Sequence, residues 1–168
     1  VMVQKKDKGT GVKVRIKTPE NITLVTAEQY ANAAITAGVT DAEIEVAAVS
    51  KVTGESALTG VYKAFEANGV QLDAKRTEVA QQELEVTNKI AQENANQKGF
   101  DSSKFDKAMI EIKKELAELK QKQGQLATKE DIERIINDAL KNNSLQNVIS
   151  KDQINALDAF AQNYQNTS

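Results

Sequence analysis

Apolar and charged residues alternate near the start of the chain. Valine or isoleucine fills every second position from 12 to 16, and the positions between and after them hold Lys13, Arg15 and Lys17. A period of two is typical of a strand with one buried face and one solvated face. An earlier strand is indicated at residues 1–5, and the glycine-containing segment 7–11 has the composition of a hairpin turn. The pattern predicts an antiparallel hairpin with a basic outer face.

A helical period follows this hairpin. Thr26 and Gln29 have the spacing of a capping box, in which the hydroxyl and the amide satisfy free backbone N–H groups. Gly38 can adopt the left-handed conformation that commonly ends a helix. Ile44 and Val46 then alternate with glutamates, as in another strand. The order of strand, helix and strand predicts a crossover that places the two strands in parallel.

A second helix is predicted after a turn at Gly54, and it should end near Asn68 and Gly69. Its apolar face and the strands are expected to share one core. The residues assigned to that core are Val12, Val14, Ile16, Ile44, Val46, Leu58 and Phe65.

From Asp73 onward the spacing is helical. One long helix, a polar linker at residues 94–99 and a helix over residues 103–123 are predicted in turn. Capping-box spacing then marks the start of two more helices. These boxes pair Thr128 with Asp131 and Ser150 with Gln153.

The helix over residues 103–123 carries an apolar stripe with heptad spacing. Two heptads are fewer than a convincing coiled coil requires, so the stripe is expected to pack on the later helices of the same chain. The protein should therefore be a monomer or a weak dimer. The stripe consists of Phe105, Met109, Ile112, Leu116 and Leu119.

These elements together predict an α+β fold. A small mixed sheet, built from the N-terminal hairpin plus a strand joined through a helix crossover, should carry flanking helices. An all-helical C-terminal tail or bundle should follow. The expected domains are an α/β domain at residues 1–98 and a helical subdomain at residues 99–168.

Composition excludes several kinds of chemistry. The 168 residues contain neither cysteine nor histidine, so disulfides, thiolate or imidazole metal sites and histidine-dependent triads are ruled out. A net charge of −2 gives no drive towards nucleic acid, and no apolar stretch approaches the roughly 20 residues of a membrane span. No cofactor and no metal are predicted.

One turn offers candidate ligand-binding residues, namely Thr53, Gly54, Glu55 and Ser56. They stand between a predicted strand and a helix start, where backbone N–H groups and the helix dipole can hold an anion. The segment lacks the Gly-Lys-Ser/Thr of a phosphate loop, and an ordinary helix cap accounts for the same residues. Ser56 and Lys63 are about 10 Å apart on one helix, which is too far for a catalytic dyad.

Other polar groups receive structural interpretations. Two sets of glutamates are read as solvated faces, Glu43 and Glu45 on a strand and Glu78, Glu83 and Glu85 on a helix. Asn32 and Thr36 lie among small apolar residues, where such side chains can line a pocket. The interpretation favoured for them is hydrogen bonding to a neighbouring loop or to the preceding turn.

Three strings cover about the first half of the chain: Asn21-Ile22-Thr23, the run from Tyr30 to Gly38 (YANAAITAG) and the run from Val52 to Gly60 (VTGESALTG). Together they resemble the YpuA-like family of uncharacterised secreted proteins from Gram-positive bacteria. The resemblance implies a fold neighbourhood and an extracellular location, but no reaction. The chain starts at Val1 in a predicted strand, and we expect a signal peptide and an upstream segment to have been removed.

Our leading functional hypothesis is a non-enzymatic secreted or cell-surface module for binding or structure, with the helical tail as the interaction element and the most apolar exposed surface, and the α/β part as its support. Its partner would be an unknown protein or a component of the cell envelope. One alternative is a hydrolase acting at the turn around Gly54. Another is association with the cell envelope through the basic hairpin face, formed by Lys13, Arg15 and Lys17.

Overall fold

The computed structural model describes residues 1–22, 25–48, 50 and 54–167. Within these residues it contains three strands and six helices, which confirms the predicted α+β class with flanking helices. In chain order the elements are β1 (Met2–Lys5), β2 (Val12–Ile16), α1 (Ala27–Thr36), β3 (Ala42–Val46), α2 (Gly54–Ala67), α3 (Ala74–Glu93), α4 (Ser102–Gln123), α5 (Lys129–Asn142) and α6 (Lys151–Gln165).

The sheet has the strand order β1-β3-β2. β2 and β3 are parallel, with Val14 opposite Ile44, so the predicted crossover through α1 is confirmed. β1 pairs with β3 in the antiparallel sense, with Val3 opposite Ile44. The predicted β1–β2 hairpin is therefore wrong, because β3 lies between the two strands. β3 has three fully buried positions, and the centre of the sheet is where such a strand gains most from burial.

Residues Val1–Asn88 form one compact unit, which we call the α/β unit. Its core contains Ile44, Val46, Leu58 and Phe65, each at most 3% exposed, together with residues of α1 and α3. The apolar residues of β2 pack partly buried against this core, and its basic residues are exposed. The predicted core is thus confirmed, as is the prediction that the apolar face of β2 points towards it and the basic face towards solvent.

Residues Lys89–Ser168 form a second compact unit, which we call the helical unit. Helices α4, α5 and α6 pack against one another, and both predicted capping boxes are present. The heptad residues of α4 are buried apart from Leu119, which is half-buried. Packing of this stripe inside the chain is therefore confirmed. The domain boundary between residues 98 and 99 stays a prediction.

The segment predicted as a polar linker begins with a buried residue. Asn94 is 3% exposed, and its Nδ2 donates to Gln153 Oε1 at 3.0 Å and to the Ile90 carbonyl at 2.9 Å. An amide that is satisfied on both sides can be buried at small cost, so this polar residue belongs to the interior of the helical unit.

Candidate functional site

The predicted ligand-binding turn is described only in part. Thr53 lies outside the described residues, and for Gly54 and Glu55 only the backbone is described. Ser56 is exposed and lies at a depression of about 160 Å³ in the α/β unit. The remaining lining is apolar and comprises Val1, Ile22, Val46, Ala47, Ala48 and Gly60. This depression can hold a small apolar group beside one hydroxyl.

The basic face of β2 is exposed, but its charges are largely balanced. Arg15 Nη2 lies 3.2 Å from Glu43 Oε1, and Lys17 Nζ lies 3.5 Å from Glu45 Oε1. Glu43 also pairs with Lys6 at 3.3 Å, and this hydrogen bond, followed by the charge of Arg15, lowers the pKa of Glu43. The glutamates predicted to form a merely solvated face are thus the partners of the basic residues on the neighbouring strand.

A carboxylate that we predicted to be solvated is buried. Glu83 on α3 is 1% exposed, and it accepts a hydrogen bond of 2.8 Å from the hydroxyl of Thr36 on α1. The Thr36 hydroxyl also lies 3.1 Å from the Asn32 carbonyl, the local bond that we expected. The sequence did carry a signal, because Glu83 is four residues from both Val79 and Thr87 on the apolar face of α3.

A tyrosine hydroxyl lies near this carboxylate. The Tyr62 hydroxyl is buried without a hydrogen-bond partner among the described residues. Burial raises the pKa of Tyr62 well above its ordinary value of 10.0, and the charge of Glu83 raises it further. The phenol therefore stays protonated at neutral pH. Glu83 is almost completely enclosed, and its bond to Thr36 links α1 to α3.

One cavity of about 310 Å³ in the α/β unit has basic walls, and we call it the lysine cleft. It lies where β1 ends opposite the beginning of β3, since Lys5 pairs in register with Ala42. Its lining is formed by Lys5, Lys6, Lys8, Gly38, Val39, Thr40, Asp41, Phe65 and Val70. This site was not predicted from the sequence, since the β1–β3 pairing that brings Lys5 beside Ala42 was not predicted.

Asp41 holds the loop that forms one wall of the lysine cleft. It has a positive φ of 47°, and its Oδ1 accepts backbone N–H bonds from Gly9 at 3.0 Å and Gly11 at 2.9 Å. Its carbonyl accepts a further bond of 2.7 Å from the Lys6 N–H. These bonds fix the path of residues 6–11, and with it the starting points of the Lys6 and Lys8 side chains.

Several polar side chains of the helical unit make hydrogen bonds within that unit. Glu111 on α4 accepts from the side-chain amides of Asn142 at 2.6 Å and Asn143 at 3.1 Å. The buried side chain of Gln165 bonds both the N–H and the carbonyl of Ala127. These contacts close the helix ends and serve the stability of the unit.

Exposed large apolar side chains occur in both units. Met2, at 66% exposed, is the most exposed of them among the described residues. The helical unit contributes Ile110 at 50% and Leu126 at 43%. Among the described residues, the α/β unit thus contributes three of these side chains, with Val1 and Ile35 beside Met2, and the helical unit contributes two. In the described part of the chain, no helix has the length and apolar character needed to cross a membrane.

Comparison with known proteins identifies relatives without assigning an activity. The chain is 38% identical over 136 residues to the uncharacterized protein YpuA of Bacillus subtilis (strain 168), covering 79% of this chain and 41% of that protein. The match thus spans about two fifths of the length of the curated relative. No solved structure matches. Residues 1–168 match the family described as Protein of unknown function (DUF1002). With a match over this whole length, the chain belongs to the DUF1002 family.

Proposed function

We propose that this chain is a non-enzymatic binding module that acts outside the cytoplasm, either secreted or at the cell surface. The lysine cleft carries the proposal, because it is an open cavity of about 310 Å³ that combines cationic side chains with apolar residues. That size is at the lower end of the range typical of small-molecule sites.

The remaining polar groups support binding over catalysis. Glu83 is enclosed and bonded to Thr36, so it is poorly placed to exchange protons with a substrate. Around Ser56, the described lining of the depression is otherwise apolar. Nucleophilic attack by a serine requires a base within hydrogen-bond reach, and the sequence has no histidine for that role.

An extracytoplasmic location is supported by two considerations. The resemblance to a family of secreted proteins implies export. A chain of 168 residues without cysteine also has no thiol that could oxidise or mispair outside the cell.

The location is tested by fractionating cells that produce the full-length protein. Immunoblots of cytosol, membrane, cell wall and culture medium should detect the protein in one or more of the last three fractions. Confinement to the cytosol would overturn the extracytoplasmic part of the proposal.

Binding is tested with the purified chain and isolated Bacillus subtilis cell envelopes in a sedimentation assay. We expect saturable co-sedimentation that weakens as the salt concentration rises. In parallel, the wild-type chain and Ser56→Ala are incubated with ester, phosphoester and peptide substrates. Turnover that Ser56→Ala abolishes would favour the hydrolase alternative, and the absence of co-sedimentation would count against a binding module for the envelope.

A further inference from the structure

We infer that the lysine cleft is a binding site for a phosphate group carried on a larger ligand. This inference rests on the proposed function, because it names the ligand chemistry of the cleft that carries that proposal.

Three amino groups reach the cleft from one short stretch of chain. Lys5 ends β1, and Lys6 and Lys8 follow in the loop that Asp41 holds in place. Lys6 is paired with Glu43 at 3.3 Å, whereas Lys5 and Lys8 have no ion-pair partner among the described residues. Two ammonium groups are therefore available to an anionic ligand at the mouth of one cavity.

A fourth cation lies next to the cleft lining. Gly38, with a φ of +102°, packs so closely against α3 that an added Cβ would lie 3.1 Å from Nη1 of Arg76. A guanidinium at this position adds positive potential behind the α1–β3 turn. Arg76, like the two lysines, has no ion-pair partner within the described residues.

The acidic groups beside the cleft leave this positive charge in place. Glu43 is bonded to Lys6 and Arg15, and Asp41 lies in the lining itself. The Asp41 oxygen Oδ1 accepts two backbone N–H bonds, which disperse its charge into the loop. Lys5, Lys8 and Arg76 together outweigh Asp41 and the exposed Asp7 of the same loop by one positive charge, which an anionic phosphate can neutralise.

The apolar part of the lining indicates that the phosphate is carried on a larger body. Val39, Phe65 and Val70 lie beside the lysines, and Val70 is half-buried. A cavity of about 310 Å³ is also far larger than a single anion fills. We therefore expect an organic phosphate to bind more tightly than inorganic phosphate.

The experiment uses isothermal titration calorimetry on the full chain with three probes: inorganic phosphate, glycerol phosphate and a soluble polyphosphate. Acetate, which carries a single negative charge, serves as the reference anion. We expect glycerol phosphate to bind more tightly than inorganic phosphate, and acetate to bind the least. If the chain binds polyphosphate clearly more tightly than glycerol phosphate, the phosphate comes from a polymer. If it binds the two with equal affinity, the ligand is a small molecule.

The decisive variant is Lys5→Gln with Lys8→Gln, which should weaken phosphate binding at least about tenfold. Its matched control is Lys63→Gln with Lys107→Gln, which removes the same charge from exposed residues outside the cleft lining. Circular dichroism checks that each variant is folded. Arg76→Gln should cause a smaller loss, because Arg76 lies behind the lining.

Equal losses in the two double variants would show a general charge effect and overturn the inference, as would an unchanged affinity in the cleft variant. Failure of the inference differs from failure of the proposed function. If the wild-type chain binds envelopes but none of the phosphate probes, the inference fails and the binding module stands. If it binds phosphate through the cleft but not envelopes, the inference stands and the cell envelope is excluded as the partner.

Discussion

The hydrogen bond between Thr36 and Glu83 joins α1 to α3 through a single buried hydroxyl. Thr36→Val keeps the shape of the side chain and removes the donor from an almost fully enclosed carboxylate. Because bonds to charged groups contribute more than neutral ones, we expect the free energy of unfolding to fall by about 1.5–3 kcal/mol. Chemical denaturation followed by circular dichroism measures this change.

Thr77→Val on α3 is the matched control for that change. Its hydroxyl donates only to the carbonyl of Ala74, one turn earlier in an exposed part of the helix. We expect its loss to cost less than about 0.5 kcal/mol. If the two threonine variants are equally stable, the bond to Glu83 contributes nothing specific.

Tyr62 should make the stability of the protein sensitive to high pH. Burial, and then the charge of Glu83, raises its pKa above the usual 10.0, so the folded chain holds this proton more tightly than the unfolded chain does. Below about pH 10 this pKa difference does not lower the free energy of unfolding. As the pH rises further the free energy of unfolding falls, since the unfolded state then releases the proton first.

Tyr62→Phe tests this dependence and also removes an unpartnered buried hydroxyl. We expect unchanged or slightly increased stability at pH 7, and a shallower decline than the wild type between pH 10 and 11.5. Thermal unfolding across this range measures both. Tyr164→Phe in the helical unit serves as the comparison, and an equally shallow decline in that variant would contradict the assignment to Tyr62.

Among the elements, α6 begins with a side-chain cap that should be measurable on its own. The Ser150 hydroxyl accepts from the Gln153 N–H at 3.2 Å, and the Gln153 side chain accepts from the Ser150 N–H at 2.9 Å. Ser150→Ala should lower the free energy of unfolding by about 1 kcal/mol. Ser103→Ala, an exposed serine in the first turn of α4, should change it by less than about 0.5 kcal/mol.

Helix α4 contains a carboxylate that opposes folding. Burial raises the pKa of Glu115, and the charges of Glu111 and Asp138 raise it further. The Glu111–Glu115 pair has the i,i+4 spacing at which like charges destabilise a helix by about 0.2–0.5 kcal/mol. Glu115→Gln should therefore raise the melting temperature slightly at pH 7.

The gain from Glu115→Gln should disappear in acid. Since the folded pKa is raised, the wild-type carboxyl takes up its proton as the pH falls through a value above its ordinary 4.5. The neutral acid then resembles the amide, and the two proteins should unfold alike. Lys114→Gln, an exposed neighbour on α4, is the control. A Glu115→Gln advantage that persists at pH 3 would point to packing instead of charge.

The same elements show what the sequence pattern can and cannot decide. Capping boxes at Thr26, Thr128 and Ser150 were predictable, because each depends on residues three positions apart. The parallel pairing of β2 with β3 was also predictable, because a helix connects them. The partner of β1 was not, since alternation fixes which face is buried but leaves open which neighbour supplies the hydrogen bonds.

The candidate site depended on that missing information. Asp41 and Lys8 are 33 positions apart in the sequence, and the pairing of β3 with both β1 and β2 brings their segments together. The local sequence pattern indicated Ser56 and the Gly54 turn, because a turn of this kind can be recognised from residues that are adjacent in the sequence. Glu83 was hidden for a different reason, because a charged residue on an apolar helix face is ordinarily assigned to solvent.

At the scale of the whole molecule, the α4 stripe decides whether the protein self-associates. Its apolar residues pack against α5 and α6, and Leu116 is 2% exposed. Because this surface is buried inside the helical unit, we expect a monomer at micromolar concentration, or a weak dimer. Light scattering coupled to size exclusion measures the mass directly.

Leu116→Lys separates packing within the chain from packing between two copies. A lysine at this enclosed position leaves an unpaired charge in the interior and should destabilise the helical unit by several kcal/mol, with a loss of helical signal. Ile110→Lys changes a residue on the same helix that is 50% exposed, and it should leave both helicity and mass unchanged. If the wild type is instead a tight dimer, and Leu116→Lys yields a folded monomer, the stripe belongs to an interface between copies. Retention of the monomer mass by the wild type, with unfolding confined to Leu116→Lys, would assign the stripe to the interior of the helical unit.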